Sequence, residues 1–415
     1  MSTGQVSKQE LGMKKNDFYK DALEGIAGPL EGVRVVEATT TWAGPMAGCL
    51  LADFGATVIK VEHPDGEIIR KLPPVLPDSN LTLPNETVNR NKKSVTIDLH
   101  EPAGRELFLK LSQTADIVIE NFKPGTLAGW GVGYEDVKKV KEDIIYASVS
   151  GYGQFGPYSS RACYDPIAQN YTGWSSLNGE PDGGPIKAPT FLGDDLAGMN
   201  AALGALAALH YRNRTGEGQH IDVALVDGIW FQSNGLLTAG AIDIPTPKMA
   251  NQFAIAAPVN VYSCKGGQIY GGVLLDSHWV SFCKLMKRDD IAHYNGSERI
   301  KRRDEVDSVV KDWCAERTVG EVVDSMLGIG LTVTKVNTFS EVSTDENVSA
   351  RDMLQETTLS DGSVVPLTGP TAKFSRTPTK IRNPAPTLGQ DNLEIYGALG
   401  LSEEDIERLR KDSIV

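Results

Sequence analysis

The tetrapeptide Leu192-Gly193-Asp194-Asp195 stands at the head of a run rich in small residues, 195–211, that reads as a helix. A carboxylate there lies where the free amides of a helix start can steady developing negative charge, and the glycine beside it leaves room for a substrate. Plain helix capping suits the same residues, because Asp is among the side chains that best accept a helix's first amides. A cap or first-turn role accounts for Asp195. Metal chemistry has no comparable pattern: the six histidines show no HExxH-type pairing, and no metal is expected. Cys49, Cys163, Cys264, Cys283 and Cys314 are odd in number, lack metal-type spacing and read as reduced thiols.

Short β-branched runs alternate with amphipathic stretches ahead of this carboxylate. Residues 33–38, 57–62, 117–120 and 144–150 read as strands, and 43–54 and 102–114 as helices. That rhythm predicts an α/β fold with a Rossmann-like parallel sheet, and the absence of GxGxxG after the first strand removes the dinucleotide fingerprint. In the 195–211 helix Leu196, Met199, Leu203 and Leu206 recur at helical spacing between small residues that let another backbone come close. A strand over 219–225 and a helix over 226–237 follow. Residues 238–249, with Pro245 and Pro247, read as an extended linker. A hairpin turning at Lys265-Gly266-Gly267 and helices near 277–287, 304–317 and 319–327 then give a smaller α+β unit. The expected organisation is an extension over 1–28, a large domain over 29–237, linker and small domain over 238–335, and a returning segment over 336–415.

A formal charge of −13 argues against nucleic acid and anionic membrane as partners. No apolar run reaches the roughly 18 residues of a spanning helix, and the first 28 residues hold no signal-type apolar core. A cytoplasmic protein is expected.

Several segments together resemble the class III coenzyme A transferases, which include formyl-CoA, carnitine and benzylsuccinate CoA-transferases. They are Gly44-Pro45 with LLADFGATVIKVE (50–62), NRNKKSVTIDL (89–99), IENFKPG (119–125), SGYGQFGPY (150–158), YDPIAQ (164–169), FLGDDLAGM (191–199), RTGEGQHIDVAL (214–225) and APTLGQDN (385–392). They span nearly the whole chain from Leu30, in order. The resemblance implies the class III CoA-transferase fold, coenzyme A as the carried group, and Asp194 as the nucleophile. Asp has an ordinary pKa of about 4, so this carboxylate is expected to be ionised at neutral pH and to need no general base. The implied path runs through an aspartyl mixed anhydride and an aspartyl-CoA thioester, with water excluded.

By the same resemblance, coenzyme A is met by Trp42 and Ala43 after the first strand, by His63 after the second, and by Ile97, Asp98, Leu99 and His100 after the NRNKKS loop. Asn121, Phe122, Lys123, Tyr164 and Asp165 complete the set. Lys123, Arg70, Arg90 and Lys93 are candidates to meet phosphates, whereas Arg90, Lys92 and Lys93 also read as a solvated charge run. The chain departs from the family's habit in places. No Arg follows the ENFKPG turn, His100 stands where Lys is common, and His63 where Arg is common. NQFAIAAPVN (251–260) replaces the glycine-rich lid of oxalate-using members, which points to an aromatic or branched acceptor, with succinyl-CoA as donor. Racemase relatives place a His-Asp pair where Tyr164-Asp165 stands here, and a phenol is a poor base at neutral pH. Transfer is therefore expected over 2-methylacyl-CoA racemisation. The expected assembly is an intertwined homodimer or a heteromer with a homologous subunit.

Overall fold

The computed structural model describes residues 12–415, so the first eleven residues of the expected extension lie outside the described ones. Residues that are close in space form two compact units, one of Met1–Trp174, Ala188–Leu237 and Glu346–Val415, the other of Ser175–Lys187 and Thr238–Asp345.

The larger unit is built on six parallel strands: β1 Arg34–Ala38, β2 Thr57–Glu62, β3 Lys93–Thr96, β4 Ile117–Glu120, β5 Ile145–Ser150 and β6 Gln219–Ala224. Their order is β3-β2-β1-β4-β5-β6, that of a doubly wound dinucleotide-type sheet, with the reversal between β1 and β4. The fold is α/β. Strands β4 and β5 are buried throughout their length, as a sheet covered on both faces requires. Alternation along each strand sends Val35, Ile117 and Ile119 to one core and Val36 and Val118 to the other. The first core also takes Ala47 and Leu51 from the Ala43–Asp53 helix and Ala201 and Ala205 from the Leu192–Thr215 helix. These two helices lie very close. A side chain at Gly198 would stand 2.8 Å from the Ala43 carbonyl oxygen and 2.8 Å from Met46 Cβ.

Most expected elements form with their ends moved by a residue or two. The long helix differs in a way that matters: it starts at Leu192, not at 195, so Asp194 lies inside its first turn. Its N-cap is Phe191, which has no side-chain cap. Neither Asp194 nor Asp195 is the cap, and both lie in the first turn, as the alternative reading of Asp195 had it. Strand β3 and the helices Leu83–Asn89, Tyr134–Val140 and Asp165–Tyr171 are additional to the expectation. A short helix, Leu236–Ala241, occupies the start of the stretch read as extended linker.

The segment after Glu346 first makes an antiparallel hairpin, Leu354–Thr358 with Val364–Thr368. It then runs beside β3. The Ser94 amide donates to Asp391 Oδ2 at 2.8 Å, the Asp391 amide to the Ser94 carbonyl at 2.9 Å, and the Thr96 amide to Asn392 Oδ1 at 2.9 Å. Tyr396 closes the strip by donating its hydroxyl to the Thr96 carbonyl at 2.5 Å. A helix capped by a Ser402–Asp405 box, Glu403–Lys411, follows. At the other end Lys15–Phe18 form one helical turn, and the Leu23 amide donates to the Arg376 carbonyl at 2.8 Å.

The smaller unit carries an antiparallel sheet of β7 Val259–Cys264, β8 Gly267–Gly272 and β9 Thr332–Lys335. Trp279, Phe282, Val306, Val310 and Met326 from three helices pack with Tyr262 and Ile269 into its own core.

Candidate active site

The loops that follow β1 and β4 meet where the strand order reverses, the place at which open α/β sheets take ligands. Asn121, just past β4, fastens the two loops together. Its Oδ1 accepts the Thr40 amide and its Nδ2 donates to the Thr40 carbonyl, both at 2.8 Å. Thr40 lines two cavities. One, of about 280 Å³, is walled by His63, Ile97, Leu99, His100, Phe122 and Trp130. The other, of about 390 Å³, is walled by Trp42, Ala43, Asn121, Tyr164, Asp165, Phe191 and Asp194, among others.

Asp165 and Asp194 stand in the wall of the second cavity with Asp195 next in the chain, and hydrogen bonds sort the three carboxylates. Asp165 is buried and accepts the Gly193 amide at 2.6 Å on Oδ1 and the Gln169 side-chain amide at 2.7 Å on Oδ2. Asp195 accepts the Trp42 indole N–H at 2.6 Å. Asp194 receives no hydrogen bond on its side chain from any described residue, although it is largely buried. Burial first, then the negative charges of Asp165 and Asp195, push its carboxyl up to about 7. Burial also raises Asp195, against the pull of the Trp42 bond and with a further push from Asp165. Asp194 is therefore harder to ionise than the ordinary Asp of the expectation. A carboxylate so placed is more basic than one in water, which favours attack on a carbonyl.

A side chain at Gly193 would stand 3.0 Å from Ile229 Cδ1 and 3.2 Å from Asp165 Oδ1, so the glycine makes room for the neighbouring carboxylate and for packing. Its amide is also the donor that Asp165 holds.

The first cavity gathers other expected residues. His100 packs edge-on against Trp130 at 4.4 Å between ring centres, and Trp130 against Phe122 at 5.4 Å. Asp98 lies between the two imidazoles, 2.8 Å from His100 Nδ1 and 3.6 Å from His63 Nε2. Burial pushes its carboxyl up, but the His100 amide and ring together outweigh it and hold the carboxyl below the usual range. Donor atoms of His63, Asp98 and His100 lie within 4.8 Å of one another, near enough for a metal ion to reach after small side-chain shifts. Lys123 is exposed, and neither Lys123 nor Asp98 is among the residues walling the two cavities. Tyr164 is 73 % exposed.

The basic residues behave differently from the expectation. Arg90 and Lys92 are buried, so the solvated charge run does not form. Arg90 pairs with Asp53 at 2.6 Å and Lys92 with Glu37 at 2.7 Å, while Lys93 pairs with Glu394. Arg70 holds Glu62 through two bonds of 2.6 and 2.7 Å. The charge each would offer a phosphate is already met by a carboxylate. Beneath the β1 loop, Lys60 stands 2.6 Å from Glu67 and 3.3 Å from Glu37, with Lys60, Glu37 and Lys92 fully buried. Burial works against the Lys60 charge, but Glu67, Glu37 and Glu62 outweigh it and raise its pKa. Glu67 in turn accepts the Thr41 amide at 2.6 Å. Sequence reasoning passes over Glu37, Lys60 and Glu67, because charges inside strand-like runs give no sign of whether a partner lies behind them.

The model of CoA-transferase family III matches residues 30–392. The beta subunit of succinyl-CoA–L-malate CoA-transferase from Chloroflexus aurantiacus is 32 % identical over 399 residues, covering 93 % of this chain and 98 % of the relative. Succinate–glutarate CoA-transferase from Agrobacterium fabrum is 33 % identical, covering 92 % and 97 %. Among solved structures, a CAIB/BAIF family protein from Brucella suis superposes with a TM-score of 0.81 at 31 % identity, covering 90 % of this chain and all of that one. With the parallel sheet, the switch-point cavities and matches that run almost end to end, the chain belongs to CoA-transferase family III and is a CoA-transferase.

Proposed function

We propose that the chain moves coenzyme A from succinyl-CoA to a second carboxylic acid, with Asp194 as the acylated nucleophile. The observation that carries this reading is the unpartnered, largely buried Asp194 carboxyl at the wall of the second cavity, its pKa pushed up to about 7. An Asp194 oxygen attacks the thioester carbonyl, the C–S bond breaks, and its electron pair leaves with the thiolate. The thiolate then attacks the aspartyl carbonyl carbon and expels succinate, which leaves aspartyl-CoA. The acceptor carboxylate attacks that thioester and frees the thiolate again. Attack of the thiolate on the acceptor's acyl carbonyl releases the new acyl-CoA and restores Asp194. Asp194 lies in the first turn of the Leu192–Thr215 helix, where the positive end of the helix dipole favours negative charge developing at each step.

Succinyl-CoA as donor follows the names of relatives such as the malate and D-citramalate enzymes. For the acceptor, the second cavity is walled by Trp42, Leu72, Pro166, Phe191 and Leu225, with no Lys or Arg among its described lining residues. The apolar share of that wall suits an aromatic or branched acid as acceptor, while the free carboxylate that the succinyl donor brings can meet the hydroxyls of Thr40, Thr41 and Ser150 in the same wall. Asp194→Ala should abolish transfer, and hydroxylamine added to donor-treated enzyme should mark Asp194. Near-normal turnover by Asp194→Ala would rule the mechanism out. A panel of acids read by mass spectrometry tests the acceptor, and preference for malate or glutarate over aromatic acids would refute that part.

A carboxyl with a pKa near 7 also suits proton exchange at an α-carbon. Deuterium entering an acyl-CoA from solvent, with no acceptor acid present, would establish that racemase-type reading instead. Relatives include alpha and beta subunits as well as an enzyme named without subunits. We take the working assembly to be two copies of this chain, and activity found only with a co-purified homologous subunit would overturn that.

A further inference from the structure

Thr41 adopts φ +66°, a left-handed backbone that a β-branched residue rarely takes. It lies one residue before Trp42, whose indole reaches across to Asp195 at 2.6 Å and packs edge-on against Phe191 at 5.2 Å between ring centres. Phe191 and Asp195 bracket Asp194 in sequence. The backbone at Thr41 therefore aims the side chain that touches both sides of the nucleophile's turn. Such a conformation persists only where surrounding contacts over-determine it. Two contacts do so here. Asn121 holds Thr40 by a reciprocal pair of 2.8 Å bonds. Glu67, almost fully buried, holds the Thr41 amide at 2.6 Å with one oxygen, while its other oxygen stands 2.6 Å from the buried Lys60 ammonium.

We propose that Glu67 is a positioning residue for CoA transfer: anchored by Lys60, it clamps Thr41 in its left-handed conformation and so holds Trp42 against Asp195 and the turn that carries Asp194. This rests on Asp194 being the acylated group, as proposed above. Glu67 touches neither Asp194 nor Trp42 in any hydrogen bond. Its effect passes through the backbone at residue 41. If Glu67 served only to neutralise Lys60, the strain at Thr41 would be irrelevant to its loss.

That difference supplies the test, made on the full chain with succinyl-CoA as donor and trapping of acylated Asp194 as the readout of chemistry. Glu67→Ala should lower kcat about tenfold to a hundredfold, with KM for succinyl-CoA held within about threefold, because strain of this kind amounts to one or two powers of ten in rate. Thr41→Gly, which removes the left-handed penalty, should restore most of the lost kcat when combined with Glu67→Ala. Thr41→Gly alone completes the cycle. Should Glu67→Ala fail to fold around the stranded ammonium, Lys60→Met with Glu67→Ala removes both charges and asks the same question. Trp42 gives a second readout that needs no activity: its emission, obtained by subtracting a Trp42→Phe spectrum, should shift to the red in Glu67→Ala and return with Thr41→Gly.

A Glu67→Ala enzyme within about twofold of the parent kcat would overturn the proposal. So would a folded double variant no faster than Glu67→Ala, or an unchanged Trp42 emission. If the parent enzyme passed CoA from no donor to any acid and gave no Asp194 adduct, the function proposed above would fall, and the emission measurements would still decide whether Glu67 sets the position of Trp42.

Discussion

Replacing Asp194 by Asn should make the protein more stable than its parent, increasingly so as the pH rises, while it destroys transfer. Asn has nearly the same shape but no charge to bury. In the folded chain the Asp194 carboxyl is pushed from an ordinary 3.8 to about 7, by burial first and then by Asp165 and Asp195. A carboxyl raised in this way favours the folded state below the unfolded pKa, and that advantage is lost as the pH climbs through about 7. A tenfold change in a proton-binding constant corresponds to about 1.4 kcal/mol, so the ionised form costs the parent at most about 4 kcal/mol at pH 8 and about 2 kcal/mol at pH 5. The variant escapes that cost. Urea unfolding of both proteins at matched pH between about 5 and 8 should show the advantage of Asp194→Asn widening by about 2 to 3 kcal/mol. Glu120, also pushed up to about 7 by its burial, titrates in both proteins and cancels. A difference that stays constant across this range would show that Asp194 is not held neutral by its surroundings, and the electrostatic account of the site would fail.

The same raised pKa sets the pH dependence of catalysis: kcat/KM should rise about tenfold per pH unit below pH 7 and level off above it, since only ionised Asp194 attacks. A flat profile from about pH 5 to 8 would contradict it. Trp42→Phe removes a 2.6 Å bond to a carboxylate, an interaction of about 1.5 to 3 kcal/mol. It should therefore lower kcat at least about tenfold, and steady-state kinetics within about twofold of the parent would refute the role given to that bond. Gly193→Ala forces a methyl to 3.0 Å from Ile229 and 3.2 Å from Asp165. It should cost about 1 to 3 kcal/mol in urea unfolding together with a loss of turnover, and an unchanged midpoint would show that the turn relaxes freely.

What can be read from the sequence divides along a physical line. Strands β1, β2, β4, β5 and β6 declare themselves through short stretches that carry Val, Ile or Thr, and the order of motifs leads to Asp194 and to the cavity residues. Strand β3 starts at the end of Asn89-Arg90-Asn91-Lys92-Lys93-Ser94, where the charges suggest solvent. Two of those charges are buried because Asp53 and Glu37, 37 and 55 residues earlier, wait for them. No local pattern encodes such a partner. The start of the long helix escapes sequence reasoning for a related cause: Asp194 and Asp195 look like caps, but Trp42 claims one of them from 153 residues away and the cavity isolates the other. Gly193 is recognisable as necessary, but its true neighbour is Asp165, 28 residues earlier in the chain.

The strip formed by Asp391, Asn392 and Tyr396 along β3 has a consequence for handling the protein. Strand β3 ends the parallel sheet, and the amides of Ser94 and Thr96 point outward from it. Left bare, such a row is a template on which any passing extended chain can add itself, molecule upon molecule. Removing the chain from Asp391 onward would therefore do more than trim a tail. It would unseal a sticky border and turn a dispersed enzyme into one that clumps.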